Sequence, residues 1–161
     1  MKRLGLLVGR TAYYVTLPLV KRVIGQGPVR TRVFVTVGDD ILILKNWFGS
    51  GGWSLPGGGL HANEAPEAGA ARELAEEVGI RLARERLIPL TPQPVVVSQG
   101  SVSFKCLAFH LDLKTKPKLQ LQWYEIAEAR WVPKDQLPAM ELGPSAQTLL
   151  EALERSDSLL H

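Results

Sequence analysis

A chain of 161 residues, 45% hydrophobic and 22% charged, holds enough material for one globular domain with a proper core and too little for two comfortable ones. Its single cysteine, Cys106, excludes an internal disulfide, and three scattered histidines, His61, His110 and His161, exclude a zinc site of Cys/His spacing. The net charge of +3 is unevenly spread, with Lys2, Arg3, Arg10, Lys21, Arg22, Arg30 and Arg32 all preceding the first acid, Asp39, a lobe that suits a nucleotide, a diphosphate, RNA or an anionic membrane surface.

Residues 1–27 form a basic, apolar N-terminal segment. Its longest uncharged run, Thr11 to Val20, is far short of the roughly 20 residues that span a bilayer. Arg10 breaks the apolar stretch and no small-residue cleavage site follows, so a signal peptide fits poorly and a cytoplasmic protein is expected. Pro18 kinks or ends any helix there. Three readings stay open: packing on its own domain, peripheral contact with a membrane as a basic amphipathic element, or pairing with a second copy in a homodimer. Gly25 to Pro28 reads as a linker, and the folded domain is expected over 28–161.

Arg32 to Val37 and Ile41 to Lys45 are β-rich runs around Gly38-Asp39-Asp40, a hairpin pattern. Asn46 to Gly52 is a glycine-rich loop into a short strand at Trp53-Ser54-Leu55. Pro66 suits the first turn of a helix and Gly79 the left-handed position past its end. Beyond it, Val95 to Val97 and Val102 to Leu111 read as strands joined by a turn at Gly100. Lys114 to Lys118, with Pro117, reads as a turn, and Ala129 to Val132 as a further strand. Gly143 or Ser145 starts a last helix in which Ala146, Leu149, Leu150 and Leu153 repeat at helical spacing. Cys106, in an apolar run, reads as a buried small side chain.

The helix between Pro66 and Gly79 carries the chemistry. At 100° per residue, Glu73, Glu76 and Glu77 fall within an arc about 100° wide, opposite Ala71, Leu74, Ala75 and Val78. This predicts one face on a core and three carboxylates presented to a single point. Like charges at this spacing repel by a few tenths of a kcal/mol per pair, and the helix C-terminus disfavours them further. A bound divalent cation relieves the repulsion, and an all-oxygen donor set favours Mg²⁺ or Mn²⁺ over zinc. Gly69, one turn before Glu73, leaves the approach open. On the helix alone, a solvated acidic face without a ligand stays the alternative.

The surrounding residues resemble a known signature. Gly58, Glu64, Arg72, Glu73, Leu74, Glu76, Glu77, Gly79 and Ile80 stand at the spacing of the Nudix hydrolase family, and the lead-in Trp53-Ser54-Leu55-Pro56-Gly57 is similar too. The motif covers about a seventh of the chain. One departure is Ala65, where many members carry a helix-capping side chain; its loss costs about 1 kcal/mol, and Asn63 can supply a substitute bond.

The resemblance implies an α/β protein of the Nudix fold, a mixed β-sheet sandwiched between α-helices. It also implies a Mg²⁺-dependent pyrophosphohydrolase cleaving a nucleoside diphosphate linked to another group. The implied ligands are Glu76 and Glu77, with Glu73 as ligand or base, Glu64 in or near the metal shell, the Gly57 carbonyl, and Arg72 as a salt-bridged support. The general base is open between the signature helix and a later loop; Glu125 is preferred there over Glu128. For the substrate, Arg30 and Arg32 either reach a phosphate or flank the first strand. Trp47, Phe48, Trp123 and Tyr124 either stack on a base or belong to the core, and Gly58 completes the expected contacts. His61, in the glycine loop, either touches a phosphate or is simply exposed. The contrasting class is a non-catalytic module that binds a nucleotide or RNA; nucleic acid is the weaker expectation as a partner.

Overall fold

The structure, a computed structural model, describes residues 29–48, 51–91, 93–99 and 102–154. The expectations for residues 1–27, for the linker and for the turn at Gly100 fall outside these residues. Among the described residues, no helix is long and apolar enough to cross a membrane.

Strand β1, Val29–Val37, has a β-branched residue at every odd position and is buried on both faces from Val33 to Thr36. Gly38, with a φ of 57°, turns it into β2, Asp40–Asn46. The short β3, Trp53–Ser54, follows, then helix α1, Pro66–Val78. Strands β4, Ile88–Pro89, β5, Val95–Gln99, β6, Val102–Asp112, and β7, Ile126–Pro133, lead to helix α2, Pro144–Glu154. Single 3-10 turns stand at Arg84–Arg86 and Lys134–Ala139. Two boundaries differ from the sequence reading by three residues, the others by at most two. β1 starts at Val29, and β7 starts at Ile126 because it follows β2 down to Asn46. β4 is an addition: two exposed residues held on β6 carry no alternation to read.

The seven strands make one mixed sheet in the order β3-β2-β1-β6-β4, with β5 on β6 and β7 on β2. β1 runs parallel to β6 from Val29–Lys105 to Thr36–Asp112. β1 and β2 pair only beside their hairpin, at Thr36–Ile41 and Val37–Asp40, and then diverge. Across the gap, β3 lies on β2, and the segment 56–60 lies on β1. The Val33 N–H donates to the Pro56 carbonyl at 2.8 Å, the Thr31 N–H to the Gly58 carbonyl at 2.8 Å and the Leu60 N–H to the Val29 carbonyl at 3.2 Å. The backbone groups that the splayed strands would strand are thus satisfied by the glycine segment.

Each face of the sheet carries its own core. Val33, Val35, Leu42, Leu44, Phe109 and Leu111 meet Ala70, Leu74 and Val78 of α1. The alternate residues Phe34, Ile41, Ile43, Phe104, Cys106 and Ala108 share a core with Ala146, Leu149 and Leu153 of α2. Cys106 is fully buried there, which raises its thiol above the usual range. The sandwich expected from the resemblance is the architecture observed.

Candidate active site

Helix α1 begins at Pro66 and ends where Gly79 turns left-handed, at φ 74°, giving its N–H to the Leu74 carbonyl. Its first turn corrects one expectation. Ala65 is extended and carries no side-chain cap, and Asn63, at φ 61°, belongs to the preceding turn and does not replace it.

The acids differ from a solvent-facing arc. The helix is wedged between the sheet and the glycine segment, so two of its faces are covered. Glu73 and Glu77 are 3% and 2% exposed, while the Glu76 side chain is 44% exposed. The Gly57 N–H donates to Glu77 Oε2 at 2.8 Å. Gly58 lies against Glu73, and a Cβ there would stand 2.5 Å from its carboxylate. Gly69 is not an open approach, since Leu60 and the Glu64 carboxylate pack over it.

Arg72 stands among the acids. Its Nε and Nη2 fork onto Glu64 at 2.8 and 2.9 Å, its Nη1 reaches Glu73 at 2.8 Å and Glu76 at 3.4 Å, and Nη2 also donates to the Gly59 carbonyl at 3.0 Å. The Glu64 carboxylate further accepts the His61 N–H at 2.9 Å. The Arg72 fork, helped by that amide, holds the Glu64 carboxyl down to about 2, and the acids in turn raise the Arg72 guanidinium above its ordinary value. With Arg72 between them the acids do not close on one point: among the described residues, no three His, Cys, Asp or Glu side chains gather tightly enough to hold an ion.

The donor set nonetheless fits a hard divalent cation in kind and in charge. Three carboxylates, Glu64, Glu73 and Glu76, share the Arg72 guanidinium, and buried Glu77 follows on the same helix with the Gly57 N–H on its Oε2; burial makes excess negative charge costly unless a cation joins it. The Gly57 carbonyl, expected among the ligands, accepts Arg32 Nη1 at 2.6 Å.

The remaining predicted residues distribute around this cluster. Gln122 gives its N–H to the Glu77 carbonyl at 3.0 Å, which brings the turn carrying half-buried Glu125 to the C-terminal end of α1. The Trp47 N–H donates to the Glu125 carbonyl at 2.9 Å, and its indole N–H to the Trp123 carbonyl at 2.9 Å. Trp47, Phe48 and Trp123 are largely exposed, at 61%, 71% and 72%, so they form an aromatic surface beside that turn and not part of the core. His61 is exposed. Arg30 stacks on the Phe104 ring at 4.5 Å. Sequence reasoning missed two contacts, Arg32 on the Gly57 carbonyl and Arg72 on the Gly59 carbonyl. Both join residues far apart in the chain, and no local pattern announces them.

Comparison with known proteins fits this geometry. Residues 27–153 match the NUDIX domain family, and the chain belongs to it. It is 39% identical over 98 residues to the CMP-5'-(N-acetyl-N-hydroxy-3-aminopropyl)phosphonate hydrolase of Streptomyces rubellomurinus, across 61% of this chain and 45% of that protein. It is 32% identical over 124 residues to the NAD-capped RNA hydrolase NudC of Stutzerimonas stutzeri, across 75% of this chain and 41% of that protein. The matches therefore span less than half the length of these relatives. Among solved structures, the E. coli dihydroneopterin triphosphate pyrophosphohydrolase superposes with a TM-score of 0.66 at 19% identity, across 81% of this chain and 97% of that one.

Proposed function

We propose that the chain is a Mg²⁺-dependent pyrophosphohydrolase, with Mn²⁺ as a substitute, that cleaves a diphosphate bond in a nucleoside diphosphate linked to another group. The observation that carries this reading is the group of Glu64, Glu73 and Glu76 on the Arg72 guanidinium, with Glu77 buried on the same helix and bonded to the Gly57 N–H. The two relatives described above are named as hydrolases of nucleotide-linked compounds, which supports the same substrate class.

Glu73, Glu76 and Glu77, with Glu64 and the Gly57 carbonyl, would hold the cation, whose chemistry is to offset diphosphate charge and acidify a bound water. Arg72 keeps three of these acids oriented. Glu125, on the turn tied to the end of α1, takes the proton of the attacking water as general base. Arg30 offers charge to a phosphate, Gly58 lets the chain approach it closely, and exposed Trp47 offers a ring to the base. Arg32 differs, since its Nη1 is committed to the Thr31 and Gly57 carbonyls.

The test is a screen for monophosphate products, separated by anion-exchange chromatography, over nucleotides, nucleotide sugars, nicotinamide dinucleotides, dinucleoside polyphosphates, capped RNA and prenyl diphosphates. It runs with and without Mg²⁺, beside Glu76→Gln and Glu77→Gln proteins. A Mg²⁺-dependent release from a nucleotide substrate that falls by orders of magnitude in both variants is the expected result. Tight nucleotide binding with no release in any arm identifies a binding module and overturns the reading.

A further inference from the structure

We propose that Arg32 is a positioning residue for this hydrolysis: it fixes the Gly57–Gly58 peptide and, through Gly58, the seat of the Glu73 carboxylate. The proposal rests on the functional reading above. Three consecutive peptide planes run past β1 here. The Pro56 carbonyl accepts the Val33 N–H and the Gly58 carbonyl accepts the Thr31 N–H, each at 2.8 Å, so β1 holds the first and third planes by its backbone. The middle carbonyl, Gly57, points elsewhere, and Arg32 Nη1 takes it at 2.6 Å while also bonding its own neighbour's carbonyl, Thr31, at 2.9 Å.

The need for such a clamp follows from the residues joined. A peptide between two glycines is the freest in a chain, having no Cβ on either side to bias it. Gly57 sits at φ 131°, a conformation L side chains rarely adopt, and the Thr31 carbonyl leaves no room for a Cβ there. The sequence therefore lacks the usual means of fixing this plane, and a side chain from the adjacent strand does it instead. The orientation matters because Gly58, at the far end of the plane, packs against the Glu73 carboxylate. The Gly57 N–H, which holds Glu77 Oε2 at 2.8 Å, belongs to the preceding plane, the one that Val33 holds. A turned plane shifts the Glu73 seat and leaves that of Glu77.

The experiment compares wild type, Arg32→Met, Arg32→Lys and Glu77→Gln by amide NMR on the metal-free full chain, by Mn²⁺ binding followed by electron paramagnetic resonance, and by steady-state kinetics on the substrate that the screen returns. In Arg32→Met the Gly58 amide resonance, which reports the clamped plane, moves or broadens, while the Gly57 amide, the one that Glu77→Gln shifts, moves less. Mn²⁺ affinity falls about tenfold and kcat falls at least tenfold, while KM changes less than threefold. Arg32→Lys, which keeps the charge as a single donor, recovers part of each loss. Should Arg32→Met not fold, Arg32→Lys alone decides, by whether its Gly58 amide moves. An unchanged Gly58 amide overturns the proposal. So does a tenfold rise in KM at constant kcat, which makes Arg32 a substrate ligand. A wild type without hydrolysis sinks the functional reading only, because the amide resonances and Mn²⁺ binding still decide whether Arg32 controls this seat.

Discussion

Arg72 and Glu64 show how one ion pair organises a crowded acidic site. The Arg72 fork holds Glu64 at about 2, against an ordinary 4.5, and the His61 N–H adds to it. A carboxyl depressed in the folded state stabilises the fold fully above its unfolded value, and that contribution is lost as pH falls from about 4.5 towards 2. The shift corresponds to on the order of 2–3 kcal/mol, the lower end allowing for partial exposure. In chelator-treated protein we therefore expect Glu64→Gln to melt below wild type at pH 7, and the two melting curves to converge near pH 2–3. Parallel curves across that range would show that the pair contributes nothing to folding. Arg72→Lys has a related but wider effect. A point charge replaces a fork that serves Glu64, Glu73 and the Gly59 carbonyl at once. We expect lower stability in the metal-free protein and a kcat reduced by about 10–100-fold, measured at saturating metal.

The signature helix was readable because its determinants are local. Pro66, Gly79 and the acid spacing all act within one or two turns, so α1 forms where the pattern places it. Its cap is the weak point. Ala65 already has the extended backbone of an N-cap but no side-chain bond, so Ala65→Ser or Ala65→Asp should raise stability by about 0.5–1 kcal/mol in thermal denaturation, with kcat unchanged. The partition of the acids was not readable. Periodicity puts Glu73, Glu76 and Glu77 in one arc, yet whether that arc meets water depends on the glycine segment, and that segment is placed by the divergence of β1 from β2. The same holds for Arg32, whose partner Gly57 lies across that gap. Trp47 and Phe48 are a third case, since composition cannot tell a core aromatic from an exposed one. Gly58→Ala tests the packing of segment on helix directly. Its Cβ would stand 2.5 Å from the Glu73 carboxylate, so the acid must leave its seat, and we expect hydrolysis to fall sharply with a melting loss too small to explain it.

At the scale of the whole molecule, the sheet separates two cores with unequal duties. Alternation along β1 and β2 sends Val33, Val35, Leu42 and Leu44 to one face and Phe34, Ile41 and Ile43 to the other. The acids stand on the helix of the first face, while α2 covers the second and holds none of the residues assigned to catalysis. Leu74 and Leu149 are both fully buried, one in each core. Truncating either to Ala should cost roughly 2–5 kcal/mol, because the transfer and cavity terms are the same in kind. Their effects on turnover should part. Leu149→Ala loosens a helix that only supports the sheet, so activity per folded molecule stays within about twofold of wild type. Leu74 lies between Glu73 and Glu77 and seats them by packing α1 on Val33 and Phe109. A cavity beneath it lets the helix shift, and displacement of about 1 Å is enough to cost on the order of 100-fold in rate. Measuring kcat at a temperature where both variants are more than nine-tenths folded, by circular dichroism, separates the two duties. Equal losses in both variants would mean that strain crosses the sheet through shared strands such as β1, and that the two faces work as one unit.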